Sequence, residues 1–77
     1  MKKYVIVSEV MDGKFKGQKH YINKKGHVLP YGFNLTQDSC YNSKKQAENL
    51  AKKLADDDKL FELVRYTTEY TIEEIEF

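Results

Sequence analysis

The stretch "YNSKKQAENLAKKLADDDK", positions 41–59, constrains the fold more than any other part of the chain. Ala47, Leu50, Ala51 and Leu54 recur at i, i+3, i+4 and i+7 as one narrow apolar stripe, while Lys44, Lys45, Glu48, Lys52 and Lys53 fall off it. Ser43 followed three residues later by Gln46 has the capping-box spacing, in which the hydroxyl accepts from a first-turn amide and the Gln side chain reaches back. The pattern predicts an amphipathic helix of about 14 residues, roughly 21 Å long. Its small alanines permit close approach to a sheet. Asp56, Asp57 and Asp58 then bring carboxylates to the negative end of the helix dipole and are expected to end the helix.

The remaining periodic segments read as strands. "KYVIVSEV", positions 3–10, is β-branched and aromatic with apolar residues on both parities, Tyr4 and Ile6 against Val5 and Val7, as in a strand covered on both sides. Met11-Asp12-Gly13 is a turn signal, and "KFKGQKHYIN" after it alternates loosely, with Phe15, Gly17, Lys19 and Tyr21 on one face. Asn23-Lys24-Lys25-Gly26 has the length of a type I turn closed by a left-handed Gly, and "HVL" continues as a short strand until Pro30 removes a ladder donor. "PYGFNLTQDSCYN", positions 30–42, lacks a period and is expected to be a loop, with an extended piece at 33–36. "LFELVRYTTEYTI", positions 60–72, is expected to be one long strand, and "EEIEF" an acidic extension of it.

The expected architecture is a single α+β domain spanning 1–77. It has a small three- to four-stranded, mainly antiparallel sheet with one amphipathic helix packed on one face, in the order β-β-β-α-β. A right-handed crossover through the helix would most simply place the last strand parallel to the first and beside it. An unpaired strand edge also leaves room for a homodimer by edge pairing.

At 77 residues the chain has one layer of core, and an enclosed active site would compete with that core for residues, which argues against an enzyme. With 40% hydrophobic and 13% aromatic residues the chain should fold. A single cysteine excludes an internal disulfide and points to the reducing cytoplasm. The apolar run from Tyr4 to Val7 is too short for a signal peptide or a membrane span, so no membrane partner is expected. The net charge of +1 hides a division: residues 1–53 hold eleven lysines against four acids, and residues 54–77 hold eight acids against Lys59 and Arg65.

Little of this composition carries catalytic chemistry. His20, His27 and Cys40 lack the paired spacing of a metal site, and neither metal nor cofactor is expected. Cys40, with Asp38 nearby, reads as a small buried hydrophobe under a loop rather than a nucleophile. Glu73, Glu74 and Glu76 read as a solvated acidic end, and the glycines are too scattered to cradle a phosphate. Binding is better represented. Lys14, Lys16, Lys19, Lys24 and Lys25 with Phe15, His20 and Tyr21 put basic residues among aromatics on a hairpin, which could neutralise phosphates while Tyr21 stacks a base. The same lysines can serve only to keep a β edge soluble. In "LPYGF", Tyr31 and Phe33 are the residue types that anchor protein interfaces, and the acidic end is a second contact for a basic partner.

The series "YVIVSE", "KHYINKKG", "FNLTQDSCYNSKKQAENLAKKL" and "FELVRYTTEYTI" resembles a broad group of small uncharacterised accessory proteins of phages and prophages of Gram-positive bacteria. Tyr41, Ser43, Gln46 and Ala47 fall on that group's helix start, with Gln46 where Glu is usual, and Leu35 departs from the aromatic before Thr36. The resemblance implies no catalytic residues. It implies a non-enzymatic binding protein in the bacterial cytoplasm that inhibits or redirects a host or defence protein, of anti-CRISPR type among others, by occupying its surface. Tyr31, Phe33, Glu73, Glu74 and Glu76 are then the expected contacts. The alternative is a nucleic-acid-binding accessory module using Lys14, Lys16, Lys19, Lys24, Lys25 and Tyr21.

Overall fold

The structure, a computed structural model, describes residues 1–60 and 68–77, apart from the side chains of 57–60. Strands β1 (Lys2–Val10), β2 (Lys19–Ile22) and β3 (Val28–Pro30) are followed by a short 3-10 turn (Gln37–Ser39), helix α1 (Lys44–Leu60) and strand β4 (Thr68–Glu76). They form a four-stranded sheet in the order β3-β2-β1-β4, antiparallel at every pairing. The α+β class and the single covering helix are as the sequence leads one to expect.

β1 is central because it is apolar on both faces. Ile6 and Ile22 pack with Tyr41, Ala47 and Ala51 under the helix, joined by the half-buried Leu50, Leu54, Tyr70 and Ile72. On the opposite face Val5, Val7 and Tyr21 are buried among Leu29, Leu35 and Ile75. Val5, Ile6 and Cys40 are fully buried, so β1 stabilises both halves of a two-sided core. Burial of an aliphatic side chain of this size contributes about 1.5–3 kcal/mol.

The helix begins with one half of the expected capping box: the Gln46 amide donates to Ser43 Oγ at 3.2 Å, and among the described residues the Gln46 side chain makes no bond back. It does not stop at the aspartates but runs on to Leu60. A carboxylate near an exposed C-terminal end costs only about 0.3–1 kcal/mol, which does not outweigh continued backbone hydrogen bonding.

The last strand runs antiparallel to the first, not parallel as a simple crossover implies. Tyr4 and Tyr41 exchange both backbone hydrogen bonds, at 3.0 and 2.7 Å, just past the end of β2. Residues 31–41 therefore carry the chain back to the starting end of β1 before the helix begins. The helix climbs to the Val10 end, and β4 descends from Thr68 opposite Val10 to Glu76 opposite Lys2. The acidic "EEIEF" is accordingly no solvated end beyond the sheet: its first four residues are the second half of β4. Of the long strand expected over 60–72, Leu60 closes the helix and 61–67 lie outside the described residues.

The β1–β2 connection is longer than a Met11-Asp12-Gly13 turn. Gly13 and Gly17 both adopt positive φ, and the Gly17 amide and Gln18 carbonyl close on Val10, so Phe15 sits on a loop and not on a strand face. The second turn matches its reading: Gly26 has φ +83° and donates to the Asn23 carbonyl at 2.9 Å. Asn23 Oδ1 accepts the amides of Lys25 and His27, which satisfies the oxygen of this buried side chain. In the 30–42 loop, residues 33–36 form no strand, though Thr36 is extended.

Candidate protein-binding surface

The face opposite α1 is closed by loop residues, and there the chain gathers an aromatic and ionic cluster. Tyr21 and Lys19 lie on the same parity of β2, so both project to this face. Tyr31 follows directly on β3, and its ring packs on that of Tyr21 with centroids 5.0 Å apart and planes tilted by 41°. Its hydroxyl donates to Glu73 Oε2 at 3.2 Å, across the sheet on β4. Lys19 Nζ stands 5.3 Å from the Tyr31 centroid, within range of a cation–π contact, and also pairs with Glu9 at 3.7 Å.

Tyr31 is thus held by a ring, a carboxylate and an ammonium while 48% of it remains exposed. Phe33, two residues on, is 53% exposed. Between them Gly32 has φ +89°, a conformation that turns the backbone so that the two rings are presented on one short loop. A half-exposed ring that is already fixed loses little entropy on binding, which is what suits an aromatic to anchor an interface.

Glu73 also sets the acid–base character of the cluster. The hydrogen bond to its carboxylate, together with its negative charge, raises the Tyr31 hydroxyl above the usual tyrosine value. Burial, and then the same carboxylate, raises Tyr21. Both phenols therefore stay protonated through neutral pH and serve as neutral, donor-bearing rings.

The expected contact residues do not all meet. Tyr31 and Glu73 are joined by a hydrogen bond. Glu74 projects to the helix face, 4.0 Å from Lys2, with the Tyr4 hydroxyl at 3.4 Å. Glu76 pairs with the amino terminus at 3.0 Å. In the sequence Lys19 already falls on one face with Tyr21, though it is grouped there with the basic hairpin. Its shared parity with Tyr21 was the signal that it belongs beside the aromatics.

The lysines of the alternative reading are divided. Lys14 and Lys16 stand in the loop at one end of the sheet, where Lys14 Nζ lies 5.9 Å from the exposed Phe15 ring. Lys24 and Lys25 occupy the turn at the other end, separated by the length of β2 and its flanks, about 17 Å at 3.4 Å per residue. Tyr21 is only 6% exposed and lies under Tyr31, so it offers no face on which a base could stack. That part of the nucleic-acid reading is corrected by the packing.

Cys40 is fully buried, with its sulfur 3.9 Å from Ser39 Oγ, as a small core residue under the loop. Among the described residues no group of three His, Cys, Asp or Glu comes together to hold a metal ion, and no helix is long and apolar enough to cross a membrane. Comparison with protein-family models, with curated proteins and with solved structures gives no match, so the surface is read from its own geometry.

Proposed function

We propose that this protein is a non-enzymatic binding protein of a phage or other mobile element. It inhibits or redirects a bacterial host or defence protein, a CRISPR nuclease being one such target, by covering part of its surface with the Tyr31–Phe33 loop. The observation that carries the reading is Tyr31, half-exposed yet fixed by Tyr21, Glu73 and Lys19. Phe33 supplies a second apolar contact, and Glu73 with Lys19 frames the rings with one charge of each sign. Small size and the resemblance to phage accessory proteins support the same reading.

The test is capture of partners from a bacterial lysate by the tagged protein, with and without nuclease, against the Tyr31→Ala/Phe33→Ala double variant. The expected result is a protein retained after nuclease by the native chain and released by the double variant with its circular dichroism unchanged. Loss of every partner with the nucleic acid would overturn the reading in favour of Lys14, Lys16, Lys19, Lys24 and Lys25. A double variant that unfolds would make the rings part of the core, and Phe33→Ala alone then decides the contact.

A further inference from the structure

We propose that the outer edge of β4 takes up an extended, lysine- or arginine-bearing segment of a partner protein as an additional antiparallel strand. The two edges of the sheet differ. β3 is three residues long and ends in Pro30, an edge already blunted. β4 is nine residues long and contains neither proline nor glycine.

The direction of its free groups follows from register. The backbone N–H and C=O of Tyr4 turn away from β4 to pair with Tyr41, so the residue opposite Tyr4, Glu74, turns its own groups outward. The same alternation turns out those of Ile72 and Glu76. Among the described residues no backbone hydrogen bond is made to any of these outward groups.

Charge selects the occupant. β4 carries Glu69, Glu73, Glu74 and Glu76 and no basic residue. A second copy paired in full overlap about Ile72 would set Glu73 diagonal to Glu73 and Glu69 of its partner, about 7–8 Å away on one face. That repulsion disfavours self-pairing, and the same carboxylates attract a basic strand.

The register also specifies the segment. Residues that hydrogen-bond to Ile72 and Glu74 send their side chains to the helix side, where Ala51, Ala55 and Ile72 line an open groove beneath Glu48 and Lys52. Apolar side chains fit there. The intervening residues face Glu69 and Glu73 and should be lysine or arginine.

The proposal shares Glu73 with the Tyr31–Phe33 loop but uses neither ring, and is tested with a capped nine-residue peptide alternating valine and lysine, read by amide exchange in the full chain. In the free protein, Glu73 and Ile75, bonded to β1, should exchange slowly, and Ile72 and Glu74 fast. The peptide should slow Ile72 and Glu74 at least tenfold. Glu74→Pro removes an outward donor at an edge position that tolerates proline, and relative to Glu74→Gln should weaken the peptide about fivefold, the equivalent of one backbone hydrogen bond. Phe33→Ala should leave peptide binding unchanged. The same peptide N-methylated at every valine keeps the charge but cannot form the ladder, and it should not bind. Equal binding of the N-methylated peptide would reduce the effect to charge attraction and overturn the proposal. Failure of the unmodified peptide to slow Ile72 and Glu74 would overturn it as well. Slow exchange at these amides without peptide, growing with protein concentration, would assign the edge to a second copy.

Discussion

Replacing Tyr41 by Phe removes one oxygen from the residue that anchors the returning loop. The Tyr41 ring is 5% exposed and packs with Ile6, Ile22, Ala47 and Ala51, and its hydroxyl donates to the Asn23 carbonyl at 2.9 Å. The apolar body survives in phenylalanine, so no cavity term enters beyond the lost oxygen. A net hydrogen bond contributes about 0.5–1.5 kcal/mol, and the Asn23 carbonyl keeps the Gly26 amide as a donor, so no unsatisfied group adds to the loss. The expected destabilisation is about 1 kcal/mol, against a total of about 4–12 kcal/mol for a domain of this length. Urea denaturation followed by circular dichroism measures it as a lower midpoint at unchanged slope. A second signature is alkaline. Burial raises the Tyr41 hydroxyl above its usual 10.0, so the folded state holds this proton more tightly than the unfolded chain does. Its contribution is fully present below about pH 10 and is lost as pH rises through the folded-state value. The loss of stability on raising the pH past 10 should therefore be shallower in Tyr41→Phe than in the native chain. Tyr21 and Tyr31, also raised, give the variant the remaining slope. A midpoint within about 0.3 kcal/mol of native, with an unchanged alkaline profile, would refute the reasoning and leave the backbone pair with Tyr4 as the sole anchor.

Three further outcomes follow from the packing. Ile6→Ala empties a fully buried site facing Ala47 and Ala51 and should destabilise by about 2–5 kcal/mol in the same urea assay, enough to unfold much of the population if total stability is near the lower end of its range. Ser43→Ala deletes the acceptor of the Gln46 amide and should cost about 1 kcal/mol, with Ser43→Asp restoring most of it. Phe33→Ala should change the midpoint by no more than about 0.5 kcal/mol because the ring is half in solvent, and so separates stability from binding in the capture experiment.

The divisions between what could be read and what could not have physical causes. The helix start at Ser43 and the stripe from Ala47 to Leu54 were legible because capping and amphipathic spacing are local properties. The two-sided burial of β1 was legible because Val5 and Ile6, neighbours in sequence, must point to opposite faces. Less was legible in Gly17: a glycine in an alternating stretch reads as a strand residue until its φ is known to be positive. Asp56, Asp57 and Asp58 do not stop the helix because a dipole penalty is small beside the packing and backbone hydrogen bonds upstream that carry it past them. The aromatic cluster was half legible: Tyr31, Phe33 and Glu73 were singled out separately, but nothing in their spacing joins residue 31 to residue 73.

By itself the sequence determined that β1, β2, β3 and α1 exist, the stripe that must be covered, the class of the fold and the residue types that any contact surface would use. Tertiary structure alone decided direction and neighbourhood. The backbone exchange between Tyr4 and Tyr41 returns the chain to the start of β1, and that reversal makes β4 antiparallel, lays Glu73 across from Tyr31 and turns the acidic C-terminal segment into a sheet edge. Pairings of this kind join residues 37 and 42 positions apart. They depend on where a loop without periodicity comes to rest, and no local propensity encodes that.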